Sequence, residues 1–359
     1  MRALRRSFRW PLIVSLVLAI ACAVCLLISR GAANTLNSQK AAQRWRGESG
    51  QGFAQISCYL PAGESLSMEQ LYNFRAAMAQ KLKDASLDVE KFGSLYTDAW
   101  SLSSVVRVNA GRRSGEVLAV AVGGHFFDFH PLRLISGNYL SPDDLMEDRV
   151  LLDRETAWML FGGTELSGMS FSLNGVPFVV AGVYEHADDR FTKRAEGEGM
   201  CIYMSYDAYA RLFPDTKGVT CYEFVMAEPV KGFVRTAAEE KFPVKQAEIL
   251  ANSYRFEAGR LLRLVKDRAE RSMRKSAALY PSWENAARMA EDQASFWLTA
   301  GLVCGLFPAA LLIYAVIRFL AGGKKQLEED LLPRARDRVE EAWRVRARKR
   351  WEKKHPDLR

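Results

Sequence analysis

Two uninterrupted apolar runs stand out in the pattern of hydrophobic and polar positions along this chain. One covers residues 10–29 and the other residues 295–317, and neither contains a charged residue. A helix of about 20 apolar residues crosses the roughly 30 Å hydrocarbon core of a bilayer. Trp10 and Trp297 lie near the ends of the runs, where aromatic rings prefer the membrane interface. The pattern therefore predicts transmembrane helices at 10–29 and 294–317.

The first run also fits a cleavable signal peptide, because it follows the basic segment MRALRRSFRW and precedes the small residues SRGAAN. Its apolar core exceeds the usual length of about 7–15 residues, which favours a retained span.

In the segment between the runs, residues 30–293, some stretches space their apolar residues as strands do and others as helices do. FAQISCYL, at 53–60, alternates as a strand does, and Ser67 to Gln70 offers a capping box for the next helix. An apolar stripe at three- and four-residue steps then predicts a helix packed on a sheet. Its members are Leu71, Phe74, Met78 and Leu82.

A β-rich stretch is predicted at about 117–184. It includes RVLLD as a short strand, RETAWMLFGG as a short helix closed by glycine, and a hairpin turning at Asn174-Gly175. Residues 163–170 come close to a phosphate-binding loop, but Met169 stands where that loop needs lysine, so no nucleotide site is expected. The charged residues that follow, up to Gly199, favour a mobile surface loop.

Charge is concentrated at the two ends. The whole chain carries +8, yet residues 30–317 carry −2, because four arginines precede the first run and the tail after the second has 14 basic against 8 acidic residues. By the positive-inside rule both termini, 1–9 and 318–359, are cytoplasmic. The excess of positive charge therefore indicates how the chain is oriented in the membrane. It does not indicate binding to nucleic acid, and we expect no nucleic-acid partner.

The tail from Lys324 to Lys354 consists mostly of strong helix formers, with Pro333 expected to break or begin a helix. Tryptophans among many arginines leave three interpretations open: a solvated basic helix, a helix lying on anionic membrane lipid, or a docking segment for an ATPase.

Candidate chemistry is sparse, and we expect no catalytic, cofactor-binding or metal-binding residues. The four histidines show no spacing typical of zinc ligands, and the acidic cluster Glu185, Asp188 and Asp189 fits solvated loop charges. The apolar runs contain no Asp, Glu, Lys, Arg or His, which argues against an ion path through this chain alone. Among the cysteines, Cys201 and Cys221 are the expected disulfide pair.

An ordered pattern from Gly123 to Val183 resembles the periplasmic core domain of MacB-like ABC transporter permeases, which are related in layout to FtsX-type permeases. Three stretches carry the resemblance: FFDFHPLRLISGNYLSPDD, RVLLDRETAWMLFGGTELSGMSFSLNGVPFVVAGVYE and, more weakly, CIYMSYDAYARLF. The resemblance covers most of 50–245 in order.

The resemblance implies an α+β outer domain, made of two separated βαβ units near 51–110 and 200–250 with an inserted β-rich subdomain, anchored by two transmembrane helices. It also implies that a set of motif residues serves backbone geometry and packing. These residues are Gly137, Phe161, Gly162, Gly168, Asn174, Gly175 and Gly182.

The family further implies a mechanism in which a separate cytoplasmic ATPase moves the spans and the spans move the outer domain. Family permeases usually have four spans, whereas this chain has two and a charged tail, so we do not expect transport by this chain alone, and an ABC ATPase and a four-span permease are its candidate partners. Two functions stay open: a permease-like subunit or accessory of an ABC system, and a stand-alone envelope scaffold or sensor. An anchored enzyme is the weakest interpretation.

Overall fold

The computed structural model describes residues 9–48, 50–87, 92–141, 144, 146–197, 199–272, 280–326 and 332–354. The helices are α1 (Arg9–Thr35), α2 (Ala41–Arg46), α3 (Met68–Asp84), α4 (Phe92–Leu95), α5 (Phe126–Phe129), α6 (Arg154–Phe161), α7 (Arg190–Glu196), α8 (Tyr206–Leu212), α9 (Phe233–Lys241), α10 (Ala258–Ser272), α11 (Ser282–Gln326) and α12 (Leu332–Lys354). The strands are β1 (Phe53–Tyr59), β2 (Tyr96–Ala110), β3 (Arg113–Gly124), β4 (Arg133–Gly137), β5 (Arg149–Asp153), β6 (Ser170–Leu173), β7 (Val176–Glu185), β8 (Cys201–Ser205), β9 (Cys221–Ala227) and β10 (Glu248–Ala251). Short 3-10 helices cover Asn37–Lys40 and Asn252–Tyr254.

The chain divides into two compact units. One, Leu27–Thr299, contains the whole sheet, and the other consists of Met1–Leu26 with Ala300–Arg359. Among the residues that the structure describes, two helices are long and apolar enough to cross a membrane, by length and composition: Trp10–Thr35 and Ser282–Ala321.

Four strands of the sheet follow the order β10-β1-β9-β2. β1 is antiparallel to both β9 and β10, and β9 is antiparallel to β2. The units β1-α3-β2 and β9-α9-β10 therefore interleave as a split βαβ arrangement, although more than a hundred residues separate them in the chain. This confirms the expected pair of separated βαβ units.

The inserted segment continues the same sheet. β3 pairs with β2 along its whole length, from Ala110↔Arg113 to Ala99↔Gly124, and the order then runs β3-β8-β5-β7-β4. β6 pairs with both β2 and β7. The insert is thus an extension of one ten-stranded sheet.

Local sequence explains several of these elements. Ser67 and Gln70 form the expected capping box at the start of α3, and Asp153 caps α6 by accepting a hydrogen bond from the Thr156 amide at 2.7 Å. Gly162 ends α6 in the left-handed conformation. The helix and strand expected around 149–162 are both present.

The two faces of the sheet differ in chemistry, because successive side chains of a strand point to opposite sides. On the first face, Ala54, Ile56 and Cys58 of β1 join one large hydrophobic core, which includes the stripe of α3. We call this the apolar face.

On the other side of β1 lie Gln55, Ser57 and Tyr59, all fully buried. This side is covered by α2, α5 and Trp283 at the start of α11. We call it the mixed face, since buried polar and ionisable groups lie there among aromatic and aliphatic ones.

The charged segment after Tyr184 is not the irregular loop that its composition suggests. β7 continues to Glu185, and Asp189 caps α7 by accepting hydrogen bonds from the amides of Phe191 and Thr192. Phe191 is buried, so apolar packing holds this helix in place. In the tail, Pro333 occupies the second position of α12, and so it begins a helix there.

Candidate functional site

Arg255 is the centre of a buried ionic network in the unit that contains the sheet. Its side chain is 1% exposed, and Nη1 lies 2.8 Å from Oε2 of Glu284 while Nη2 pairs with Oε1 of the same carboxylate. Its Nε lies 3.1 Å from Oε1 of Glu291, and Nη1 also donates to Gln39 at 3.0 Å. One guanidinium therefore holds two fully buried carboxylates.

The periodicity of α11 explains how the acidic partners converge. Glu284, Arg288 and Glu291 are spaced by four and three residues, so they share one face of the helix. Arg288 lies 2.8 Å from Glu284 and 2.6 Å from Glu248 at the start of β10. The network thus connects the beginning of α11 with the edge strand of the sheet.

Tyr59, the last residue of β1, connects the network with the mixed face. Its hydroxyl donates to Oε2 of Glu284 at 3.2 Å, and its ring contacts the Tyr280 ring edge-on at a centroid distance of 5.6 Å. Burial raises the pKa of Tyr59 well above its ordinary value, and the neighbouring Glu284 carboxylate raises it further. Tyr59 is therefore a neutral hydrogen-bond donor.

Charge balance keeps the network stable inside the protein. Burial alone would lower the pKa of Arg255, but the Glu284 and Glu291 carboxylates outweigh burial and the pKa is raised. Arg260 adds a further cation 3.6 Å from Glu291. Removing one partner of a buried ion pair costs about 3–5 kcal/mol, because an uncompensated charge stays buried.

The same stretch of α11 packs through small side chains. Ala286, Ala287, Ala290 and Ala294 form a buried cluster with residues of α7, α10, α1 and the residue that follows α1. These partners are Ala32, Leu36, Phe191 and Leu261. Two buried hydroxyls reinforce the packing, since Ser29 donates to the Ala294 carbonyl at 2.8 Å and Ser295 to the Leu261 carbonyl at 2.6 Å. Alanine allows close approach of the helix backbones, and the hydroxyls fix their relative position.

In the other unit, α11 contacts α1 through glycine. A Cβ at Gly301 would lie 3.2 Å from Cβ of Cys25, and one at Gly305 would lie 3.2 Å from Sγ of Cys22. Gly301 and Gly305 form a G-x-x-x-G pattern, which favours close packing of membrane helices. Cys22 and Cys25 are free thiols that act here as small packing residues.

A second polar cluster lies under α5 on the mixed face. Glu223 of β9 accepts from the Ser57 hydroxyl at 2.6 Å and pairs with Nε2 of His130, and Ser57 in turn accepts from the Asn252 amide at 2.6 Å. All four side chains are buried. His130 is therefore a structural histidine that ties α5 to the sheet.

The motif residues expected from the sequence lie in the insert and not in the ionic network. Gly137 and Gly182 are paired across β4 and β7, and a Cβ on Gly137 would lie 2.1 Å from the Ala181 carbonyl oxygen. Asn174 and Gly175, at φ values of 51° and 83°, turn the β6-β7 hairpin. Gly168, at φ 85°, donates its amide to the Val180 carbonyl.

Of the remaining motif residues, Phe161 ends α6 and packs against the apolar core, and Gly162 caps that helix.

The expected disulfide between Cys201 and Cys221 is contradicted, because both thiols are free. Cys201 lies on β8 and Cys221 on β9, and β2 and β3 run between these strands. Three strand spacings amount to about 14 Å, whereas a disulfide needs Cα atoms within about 7 Å. Burial raises the pKa of Cys201 to about 12, which makes the thiol unreactive.

Sequence reasoning missed both the ionic network and the glycine contact. The signal for the network was the charge pattern on the helical segment from Ser282, where three alternating charges share one face and four alanines line a different one. The signal for the glycine contact was the pattern GLVCG inside the second apolar run.

The mixed α/β sheet domain and two candidate membrane helices fit a membrane-anchored extracytoplasmic domain, and a family model identifies the class as a domain found in ABC-type transporters. The chain belongs to one family within it: residues 12–243 match the model of the MacB-like periplasmic core domain. It is a membrane protein with an extracytoplasmic domain, and its relatives are components of transporters that work with an ATPase. No curated protein matches the chain.

Solved structures that are similar to this chain include three extracytoplasmic or permease domains. The extracellular domain of the noncanonic ABC-type transporter YknZ from Gram-positive bacteria has 14% identity and a TM-score of 0.39, with 56% of this chain and 99% of that chain covered. The periplasmic region of MacB from Actinobacillus actinomycetemcomitans has 16% identity and a TM-score of 0.42, with 64% and 98% covered. A domain of a protein described as a permease, from Porphyromonas gingivalis, has 11% identity and a TM-score of 0.32, with 55% and 87% covered.

Proposed function

We propose that this chain is a permease-like membrane subunit or accessory of an ABC system, in which a separate ATPase moves the spans and α11 carries that movement to the outer domain. The observation that supports this proposal is the anchoring of α11. Residues 282–299 of this one helix belong to the unit with the sheet, and residues from Ala300 onwards belong to the other unit.

The contacts along residues 282–299 suit a mechanical role. A displacement of α11 would have to move Arg255, the end of β1 and the start of β10 with it, since separating buried ions costs several kcal/mol. The alanine contacts restrain sliding against α1 and α10. The ionic network would therefore act as the joint between helix and sheet.

We further propose that both termini are cytoplasmic and that residues 30–293 lie outside, because the basic residues flank the spans on the sides of the two termini. Cysteine substitutions at Glu48 and Lys353 test this topology. In intact cells a membrane-impermeant thiol reagent should label Glu48→Cys and spare Lys353→Cys, and the reverse pattern would exclude the proposed orientation.

Coupling is tested on the full chain, purified in detergent with the proteins that remain bound to it. We expect an ABC ATPase in the complex, and we expect a non-hydrolysable ATP analogue to change hydrogen exchange in β1 and β10. Glu284→Gln should keep the ATPase bound but abolish the exchange response in the strands. Glu240→Gln, which alters an exposed ion pair with Lys81, is the matched control and should respond as the unmodified chain does.

Two outcomes would contradict coupling. If no ATPase is recovered and nucleotide leaves the exchange pattern unchanged, the chain acts as a stand-alone scaffold or sensor. If nucleotide changes the strands equally in Glu284→Gln, the ionic network is not the joint.

A further inference from the structure

The end of β7 brings an imidazole together with three carboxylates. Nε2 of His186 lies 3.2 Å from Oδ2 of Asp153 and 3.6 Å from Oε2 of Glu155. On the other side of the ring, Nδ1 lies 2.7 Å from Oε2 of Glu196. Asp153 is fully buried, His186 and Glu196 are each about four-fifths buried, and Glu155 is half exposed.

The donor atoms are spaced as metal ligands are. With metal–nitrogen and metal–oxygen bonds of about 2.0–2.2 Å, the ligands of a tetrahedral zinc ion lie about 3.4 Å apart. The His186–Asp153 and His186–Glu155 distances fall on either side of that value, and all three donor atoms lie within 4.8 Å of one another. The His186–Glu155 separation of 3.6 Å is too long for a good hydrogen bond, so hydrogen bonding alone does not explain this arrangement.

The surroundings supply the second shell that metal sites need. A ligating histidine almost always donates its other ring N–H to a carboxylate or carbonyl, which fixes the ring and increases its basicity, and Glu196 stands in that position. Asp153 is itself oriented by the amides of Thr156 and Cys201, at 2.7 and 3.0 Å. These hydrogen bonds fix the orientation of the Asp153 carboxylate, as is needed for a metal ligand.

The three carboxylates of the cluster carry more negative charge than the neighbouring side chains compensate. Within the described part of the chain, no lysine or arginine forms an ion pair with Asp153, Glu155 or Glu196, since nearby Arg133 and Arg154 pair with Glu185. Even a protonated imidazole balances only one of three negative charges.

We propose that Asp153, Glu155 and His186 bind a divalent transition-metal ion of the zinc type, with Glu196 orienting the imidazole. A mixed set of one imidazole and two carboxylates suits such an ion better than calcium or magnesium, which prefer oxygen ligands alone. His186 and Glu196 also line a cavity of about 290 Å³, and the half-exposed Glu155 side chain leaves the cluster accessible from solvent. Binding displaces the proton from the imidazole nitrogen that becomes a ligand.

The metal would tie the end of β5 and the start of α6 to the end of β7, and Glu196 would extend this tie to α7. α7 also carries Phe191 into the alanine cluster of α11. Metal binding would therefore make the contact between α7 and α11 more rigid, whether or not an ATPase moves α11. This inference stands on the geometry of the cluster and is independent of the proposed ATPase coupling.

The test uses the full chain in detergent, stripped of metal by a chelator and titrated with zinc chloride in a calorimeter. We expect one equivalent to bind with a micromolar or lower dissociation constant, and addition of zinc to slow hydrogen exchange in α7. Glu155→Gln, at a half-exposed position that folding tolerates, should weaken binding at least tenfold and abolish the exchange response. Glu196→Gln should weaken binding roughly 10–100-fold, as loss of a second-shell carboxylate does.

His125→Ala is the matched control, because it removes an exposed histidine beside an acidic residue, Asp128, at 3.4 Å. It should bind zinc as the unmodified chain does. Absence of saturable binding in the unmodified chain would overturn the proposal, and so would binding that Glu155→Gln leaves unchanged. Loss of binding in His125→Ala with retention in Glu155→Gln would place the ion elsewhere and equally overturn it.

Discussion

The two faces of the sheet are held by different forces. On the apolar face, α3 packs Leu71, Phe74, Met78 and Leu82 onto the strands, and the contact is non-directional burial of large side chains. On the mixed face, directional contacts hold the beginning of α11: Arg255 with Glu284 and Glu291, and the Tyr59 hydroxyl with Glu284.

The two kinds of contact suit different roles: non-directional burial stabilises the sheet, and directional ion pairs fix the position of α11 against it. Burial of bulky apolar groups stabilises many neighbouring arrangements, whereas an ion pair with hydrogen bonds stabilises one geometry and becomes costly when that geometry changes. A helix that must carry movement to the sheet needs the second kind of contact. Substitutions that change each kind of contact test this difference, with unfolding of the full chain in detergent as the common assay.

The largest effect is expected at the centre of the ionic network. Glu284→Ala should lower the free energy of unfolding by about 3–5 kcal/mol, because Arg255 stays buried without its main partner. The double variant Arg255→Met with Glu284→Leu should recover most of that loss, since buried ion pairs can be replaced by apolar groups at little cost. Failure of the double variant to recover stability would mean that neighbouring groups, not the pair, determine the cost.

On the apolar face, Met78→Ala should lower the free energy of unfolding by about 2–5 kcal/mol, because it leaves a cavity in the core. Met78→Leu, which conserves volume, should cost less than about 1.5 kcal/mol. Chemical denaturation gives both values. Equal losses in the two variants would show that this core depends on detailed shape as strongly as the mixed face depends on charge.

The Asn174-Gly175 turn belongs to neither face, so a substitution there measures the contribution of backbone conformation alone. Gly175→Val should lower the free energy of unfolding by about 1–3 kcal/mol, because valine is strained at φ 83°. Gly163→Val is the control, since that glycine has open space around its Cβ position and no positive φ. If both variants melt alike, the Asn174-Gly175 turn contributes nothing specific.

The smallest effect is expected at the start of α3. Ser67→Ala removes the side-chain acceptor that satisfies the Gln70 amide, and should cost about 1 kcal/mol in thermal or chemical unfolding. Ser67→Asp should retain most of the stability, because aspartate is an equally good cap. A loss at Ser67→Ala above that of Met78→Ala would reverse the order of contributions on the apolar face.

The apolar face could be predicted from the sequence because its signals are local. The stripe of α3, the capping box at Ser67 and the Asn174-Gly175 turn each lie within a few residues, and the structure contains all three. The resemblance carried by the stretch from Gly123 to Val183 supplied the interleaved sheet, which no local period reveals.

The ionic network could not be predicted in the same way, because its members come from distant parts of the chain. Tyr59, Arg255 and Glu284 meet only after the sheet and α11 have assembled. In the sequence each is an ordinary aromatic or charged residue, and charged residues are usually exposed. The disulfide expectation was wrong for the related reason that strand order, not spacing along the chain, decides which cysteines can meet.

The pairing of β1 has a consequence for how the protein is made. β1 is synthesised early, yet its partner strands are β9 and β10. Tyr59 therefore cannot pair until Cys221 has been synthesised, and Ile56 cannot pair with Ala251 until the chain reaches residue 251. The β2-β3 hairpin, in contrast, closes a turn of two residues and can form as soon as it emerges. Both edges of β1 stay unpaired until β9 has been synthesised, and the edge that pairs with β10 stays open to association with other chains until residue 251 has been delivered. We therefore expect the outer domain to complete its fold late in biogenesis, with the first strand of the sheet among the last to be secured.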